Sequence, residues 1–516
     1  MSSSFLHTFY DTAINNWHYD VVRDYGKAGA MSYCDICTRI VEYQNDWSQL
    51  GLKKGDKIAI CSSNSIEWIC LFMAIQFSGL VAVCFNENLA DSIVLVEHSE
   101  CSVLYISDID VRKYHFKNIQ RLQFVISLTS NKLIWSRDQL CFKHTYLTQI
   151  SPDKFHIKDR SDKDLSLVIY TSGTSANIKG VMLSIGNISA NINSIIRVFP
   201  YEKNKNYLST LPFYHIFGLM YDVLMPICYG LHLYILKEPP VPTILLPAIK
   251  KIRPIMLFAV PVVYYKLFDE INNSYGDTLR MMSIDKRRSF IMELFGRECK
   301  CLVTGGAAVK KDWLQSIYTN YSLPFYIGYG MSESASSICL PIIGSYELFS
   351  CGKPIDNIEF KIVSPSPEYI PGEIVIRGDV VFCGYYNDEE LYNNVVDDNG
   401  WFHTQDLAIM SSKGDVFIKG RMNNMKVSAS GKNIYLEEVE AKLTEINGIK
   451  DAVVALRNDS LVAYIEKEET YDEEQIIEAV TNFNQDSAMG IYIQEVKYIT
   501  TIARTAKGTI KRNLYI

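Results

Sequence analysis

Twelve residues, Tyr170 to Val181, carry the densest chemistry in the chain, reading Tyr-Thr-Ser-Gly-Thr-Ser-Ala-Asn-Ile-Lys-Gly-Val. The hydroxyls of Thr171, Ser172, Thr174 and Ser175 and the backbone N–H groups around Gly173 can converge on one anion, and Lys179 adds a mobile positive charge. That is the chemistry of a phosphate clamp. The order Lys179-Gly180 followed by a valine is not the Gly-Lys-Ser/Thr of a P-loop, which disfavours a Walker-type ATPase. The plainer alternative is a Ser/Thr/Gly-rich surface turn that happens to hold a lysine.

A phosphate clamp needs a strand to deliver it. The apolar run Leu165 to Ile169 is that strand, and the apolar stretch Val181 to Ile196 has helical length, so the expected order is strand, loop, helix. Upstream, the pattern predicts a helix over Ser32 to Leu50, a Gly51/Gly55 turn, a strand over Lys57 to Cys61, an apolar helix over Ile66 to Phe77 capped by Gly79, and strands over Val81 to Cys84, Val103 to Ile106 and Phe124 to Ser127. A polar tract, Asn131 to Lys163, reads as a connector. Downstream, strands over Tyr207 to Leu211, Leu233 to Leu236 and Ile255 to Ala259 alternate with helices. Cys301 to Ala307 and Pro324 to Ser334 each read as a strand ending in a glycine turn, which is where ligands gather in open α/β sheets.

From Gly352 the texture changes to short strands and glycine punctuation, a small β-rich subdomain. A boundary falls near Gly420-Arg421. Beyond it, Leu436 to Ile446 reads as a helix, Ala452 to Leu456 and Leu461 to Ile465 as strands, and Asp472 with Gln475 as a capping box.

The bulk numbers agree with two globular units. The chain has 516 residues, 48% apolar and 21% charged, with a net charge of −7. That balance disfavours a nucleic-acid binder, which needs a basic face. The tract Leu211 to Leu236 is broken by His215, Asp222, Pro226 and His232, whereas a membrane span needs roughly 20 nearly uninterrupted apolar residues. Thirteen cysteines, an odd number behind no secretory leader, read as reduced thiols of a cytoplasmic protein. Cys34 and Cys37 form the only Cys-x-x-Cys, with no second pair at zinc spacing.

Taken together, these motifs resemble the adenylate-forming enzymes: acyl-CoA synthetases, luciferases and the adenylation domains of nonribosomal peptide synthetases. The resemblance covers nearly the whole chain, in the family's order and spacing. It implies a large α/β domain of sheets flanked by helices with a small β subdomain, residues 1–420, followed by a small mobile C-terminal α+β domain, residues 421–516. It also implies a reaction: a carboxylic acid attacks ATP to give an acyl-adenylate, and a thiol, either CoA or the phosphopantetheine of a carrier protein, then displaces AMP. No carrier segment is expected within the chain, so a carrier would act in trans.

The same resemblance assigns roles to residues. Thr171 to Ser175 and Lys179 become the phosphate loop, departing from the family at Ala176 and Ile178, where glycine and proline are usual. His215, in Leu211-Pro-Phe-Tyr-His-Ile-Phe-Gly-Leu, becomes the residue that meets the activated carboxylate; without the motif it would read as a core histidine. Ile216 stands where relatives that activate amino acids place an aspartate, which disfavours an α-amino acid substrate. Gly305, Gly306, Ala307, Tyr329, Gly330 and Ser332 form the nucleotide site, and Glu333, with Thr171, holds Mg2+ on the phosphates; Glu333 could instead be a plain helix-start acid. Asp406 takes the ribose hydroxyls, with Gln405 in place of the usual glycine, or is a simple turn residue. Arg421 reaches ribose or phosphate, Asn423 is the hinge and Gly431 lines the thiol channel.

One departure bears directly on chemistry. In Arg504-Thr-Ala-Lys-Gly-Thr-Ile-Lys-Arg, Thr509 occupies the position of the family's adenylating lysine, and a hydroxyl cannot supply that full charge. Lys507 and Lys511 each lie two residues away, on the same side of an extended segment, so either is a candidate substitute. The competing reading is a homologue that binds nucleotide or acyl-adenylate without adenylating.

Overall fold

The computed structural model describes every residue except 1–3, 87, 108–113, 139–141, 158–159, 172–177, 200, 346, 428–432, 458–459, 487–491, 505–509 and 516, and the side chains of 89–91, 171, 426, 427, 433, 486 and 513. Its centre is an eight-stranded sheet. The strands Leu165–Thr171, Val81–Phe85, Lys57–Cys61, Val103–Ile106 and Phe124–Ser127 run parallel in that spatial order. Antiparallel strands close both edges: Leu133–Ser136 on one side, and Lys179–Ser184 then Gly384–Tyr385 on the other. Helix Ile66–Ser78 buries every residue from Trp68 to Phe77, so it is apolar all round, as an element sandwiched between layers must be. Ser65 caps its start and Gly79, at φ 77°, its end.

A second layer holds the sheet of Asn206–Ser209, His232–Ile235, Asp20–Asp24 and Met31–Ser32, and the parallel sheet Met256–Ala259, Cys301–Thr304 and Phe325–Ile327. The β-rich subdomain is an antiparallel sheet of Ile358–Val363, Gly372–Gly378, Phe402–Met410 and Val416–Arg421. The three apolar cores of this part draw on residues up to 416, and the two remaining cores on residues from 434 onward. The latter surround Ile449–Arg457, Ser460–Lys467 and Ile493–Tyr498, with helices Leu436–Leu443 and Glu473–Asp486. The capping box at Asp472 and Gln475 forms: each backbone N–H meets the other's side chain, at 3.1 and 2.8 Å.

One sequence expectation is corrected. The stretch after the phosphate loop does not begin a helix at Val181. Lys179–Ser184 is a strand that pairs back on the preceding one, with Thr171 opposite Lys179 and Ile169 opposite Val181. The helix, Ile185–Val198, starts only after Ser184 caps it. Val181 and Leu183 pack into one core and Met182 against another, so an unbroken apolar run here means a strand covered on both faces. The strands on either side of residues 172–177 therefore pair antiparallel, and the next helix begins only beyond the second strand.

Candidate active site

Three groups of predicted residues assemble, and one segment joins them. Residues 329–339 form a tight loop closed by a bridge between Tyr329 and Cys339. Gly330 is obligatory there, because a Cβ would lie 1.7 Å from the Ser336 carbonyl oxygen. Asn191, fully buried on helix Ile185–Val198, donates from Nδ2 to the carbonyls of Ser334 and Ser337, at 3.0 and 2.8 Å. Tyr221 ties the same loop to the His215 element through a 2.8 Å bond between its hydroxyl and that of Ser337.

At one end of the loop, the Tyr329 hydroxyl donates to Asp406 Oδ2 at 2.7 Å, while Arg421 Nε meets Asp406 Oδ1 at 3.0 Å. Asp406 and Arg421 face each other across neighbouring strands. Burial pushes the Asp406 carboxyl above its usual range, with Arg421 and Tyr329 pulling against it, and Asp406 in turn raises the Arg421 guanidinium. Gln405 adopts φ 60°, the left-handed region for which a glycine is the ordinary choice, and its N–H donates to Glu373 Oε1 at 3.0 Å.

Within the same loop lies Glu333, buried in the turn Ser332–Ser334. Its Oε1 accepts from the Tyr385 hydroxyl at 2.9 Å. Lys179 opens the strand after the phosphate loop, and its Nζ lies 5.6 Å from the centroid of the same Tyr385 ring. Tyr385 is a site residue that sequence reasoning missed; its only signal was the Gly384-Tyr385 pair among the punctuating glycines.

The third group surrounds His215. The imidazole is half-buried against Tyr214, with ring centroids 4.4 Å apart, at the start of the short helix Ile216–Gly218. A Cβ on Gly218 would lie 2.0 Å from the Pro212 carbonyl, and one on Gly305 would lie 3.2 Å from the Gly328 carbonyl and 3.8 Å from the Phe217 ring. His215's element and the two glycine turns thus face one another. Gly306, at φ 77°, and Ala307 follow Gly305. Beneath the His215 loop sits Asp222, wholly buried, accepting from the N–H groups of Thr210 and Leu211, both at 2.7 Å, and from Tyr207 at 3.0 Å. Burial pushes its carboxyl up to about 7, against those donors. In the sequence Asp222 showed only as an interruption of an apolar tract.

Other predicted residues stand apart. Asn423 is exposed in the turn Met422–Asn424, whose Asn424 donates to Glu437 at 2.5 Å. Lys511 is exposed, with its N–H on the Ala503 carbonyl at 2.9 Å, beside a bridge between Arg504 and Ile510. Ser172, Gly173, Thr174, Ser175, Gly431, Lys507 and Thr509 lie outside the described residues, as does the Thr171 side chain.

The donor set fits a phosphate-bound Mg2+ rather than a protein-caged metal. Among the described residues no group of three or more His, Cys, Asp or Glu could hold a metal. Glu333 offers a single hard carboxylate, which is how Mg2+ is bound when substrate phosphates and waters complete its shell. No helix among the described residues is long and apolar enough to cross a membrane.

A buried acid on a tyrosine hydroxyl, a lysine and a carboxylate against one tyrosine, and a histidine-bearing element packed on a glycine turn are the arrangement to compare with known proteins. Comparison with known proteins gives the class: an adenylate-forming ligase. A model described as AMP-binding enzyme matches residues 20–386. The 2-succinylbenzoate–CoA ligase of Oceanobacillus iheyensis is 26% identical over 440 residues, 84% of this chain and 82% of that protein. ATP-bound MatB from Rhodopseudomonas palustris superposes with a TM-score of 0.81 at 20% identity, covering 100% of this chain and 98% of that one. The o-succinylbenzoate CoA synthetase MenE of Bacillus subtilis, complexed with its acyl-adenylate, gives 0.80 at 19% identity, covering 100% and 98%. The chain belongs to the AMP-binding enzyme family. Its reaction is ATP-dependent activation of a carboxylic acid to an acyl-adenylate, followed by transfer to a thiol.

Proposed function

We propose that Tyr329 and Glu333, both on the 329–339 loop, are the two handles on ATP, and that His215 presents the acid between them and the acyl side. The observation that carries this reading is that Tyr329 and Glu333, close together on one locked loop, reach Asp406 and Tyr385–Lys179 respectively. Nucleoside and phosphate are then held at a fixed separation, which is where an entropic advantage for attack on the α-phosphate comes from.

Asp406 uses the remaining lone pairs of its two oxygens for the ribose hydroxyls. Gly305, Gly306, Ala307, Gly330 and the Tyr329 face take the adenine, and Ser332 the α-phosphate. Thr171 to Ser175 clamp the terminal phosphates, and Lys179 places its charge on the oxygens that gain negative charge as pyrophosphate leaves. Glu333, with Thr171, would hold a Mg2+ that neutralises the phosphates. His215 orients the acid's carboxylate. Lys507 or Lys511 brings the charge that Thr509 cannot, on a C-terminal unit, residues 421–516, that moves against residues 1–420 about Asn423; the break in apolar cores between residues 416 and 434 supports that division. Gly431 then borders the path of the thiol.

The thiol is CoA, with the phosphopantetheine of a separate carrier protein as the second acceptor to be assayed; the CoA ligases among the relatives favour the first. A cytoplasmic location is supported by twelve described cysteines, all free, eleven of them buried. ATP–pyrophosphate exchange across aromatic, short-chain and long-chain acids tests the first half-reaction, and thioester formation with CoA or a holo-carrier the second. Exchange with an acid but thioester with neither acceptor would overturn the acceptor assignment.

A further inference from the structure

We propose that Tyr385 is a positioning residue that keeps Lys179 and Glu333 apart and aims both at the phosphates. This rests on the assignment of Glu333 to a divalent cation. Tyr385 is buried, and it touches both charges: its hydroxyl donates to Glu333 Oε1 at 2.9 Å, and its ring faces Lys179 Nζ at 5.6 Å. Each charge is thereby held by Tyr385 instead of by the other. A lysine and a carboxylate free to meet would pair and neutralise one another, leaving a weaker cation site and a weaker phosphate contact. A phenol donor on one carboxylate oxygen also fixes the rotamer, so that the other oxygen is presented to a cation, in the way outer partners orient ligands generally.

The backbone around Tyr385 makes the placement rigid. Tyr385 pairs with Val181, the Cys383 N–H donates to the Met182 carbonyl at 2.9 Å, and the Tyr386 N–H to the Gly180 carbonyl at 2.8 Å. The Phe382 N–H donates to the Glu333 carbonyl at 2.9 Å. Residues 382–386 therefore grip the lysine strand and the Glu333 turn at once. This edge segment of the eight-stranded sheet sets the distance between the two phosphate-facing charges.

The test uses the full-length protein and two readouts: calorimetric affinity for ATP with and without Mg2+, and the Mg2+ concentration that half-saturates pyrophosphate exchange. Tyr385→Phe keeps the ring and loses the donor; it is expected to raise half-saturating Mg2+ about three- to ten-fold, the worth of one ordinary hydrogen bond, with metal-free ATP affinity within about two-fold. Tyr385→Leu, which also loses the ring, is expected to weaken metal-free ATP binding as well. In a Glu333→Gln background the Mg2+ effect of Tyr385→Phe should vanish. Unchanged Mg2+ dependence in Tyr385→Phe, equal weakening with and without Mg2+, or persistence of the effect in the Glu333→Gln background would each overturn the proposal. If Glu333→Gln alone leaves Mg2+ dependence untouched, it is the cation assignment that fails.

Discussion

Asp222 shows how much of the site's geometry rests on one side chain that no motif marks. Its carboxylate accepts from two backbone N–H groups and a phenol directly under the His215 loop. Asp222→Asn replaces two acceptor oxygens by one, leaving a buried donor unpaired at a cost of ~1–3 kcal/mol. The variant should melt earlier, and its KM for the acid should rise several-fold while KM for ATP stays near wild type; an equal rise in both would mean that Asp222 does not act through the His215 loop. The candidate groups His215, Tyr329, Glu333, Asp406 and Arg421 were legible because each sits in a short motif with chemistry of its own. Asp222 and Tyr385 were not, since a lone acid in an apolar tract and a tyrosine after a glycine have no local pattern, and their partners lie far away in the chain.

At the scale of elements, compact strands between turn signals were read well: Lys57–Cys61, Val103–Ile106 and Phe124–Ser127 lie where periodicity and composition put them. The strand after the phosphate loop was misread as helix, because a run buried on both faces carries no period to separate the two. The tract 131–163 read as a mere connector, yet part of it is pinned to helix Tyr33–Gln49 by buried charge. His144 Nδ1 meets Asp46 at 2.5 Å, its Nε2 lies 3.6 Å from Glu42, and the N–H groups of Thr145 and Leu147 donate to the same two acids, both at 2.8 Å. Burial alone would lower the imidazole pKa; the two carboxylates outweigh it and lift it from 6.5 to about 9. A histidine whose folded pKa exceeds its unfolded one contributes its full stability below about 6.5 and loses it as pH rises through about 9, a contribution of ~3 kcal/mol at most. The melting-temperature gap between wild type and His144→Gln should therefore be widest near pH ~6 and close by pH ~10. A gap that does not change with pH would contradict a charged His144.

At the scale of the whole molecule, one chain supplies two half-reactions, and the proposed roles take the charge that Thr509 lacks from Lys507 or Lys511. Lys507→Ala or Lys511→Ala should cut adenylation about 100-fold or more, the usual effect of removing one electrostatic group from a transition state, while thioester formation from supplied acyl-adenylate is unaffected. If both variants lose both half-reactions equally, neither lysine has that role. The family is legible in the order of motifs; the way residues 382–386 tie the Lys179 strand to the Glu333 turn is not, because it exists only once the sheet has formed. The most direct test of the central claim remains ATP–pyrophosphate exchange with the panel of carboxylic acids, run beside ATP binding. At least one acid should raise exchange well above ATP alone, and Lys179→Ala should lower it about 100-fold. Tight ATP binding with no acid-dependent exchange would contradict the account and leave a homologue that binds nucleotide without adenylating.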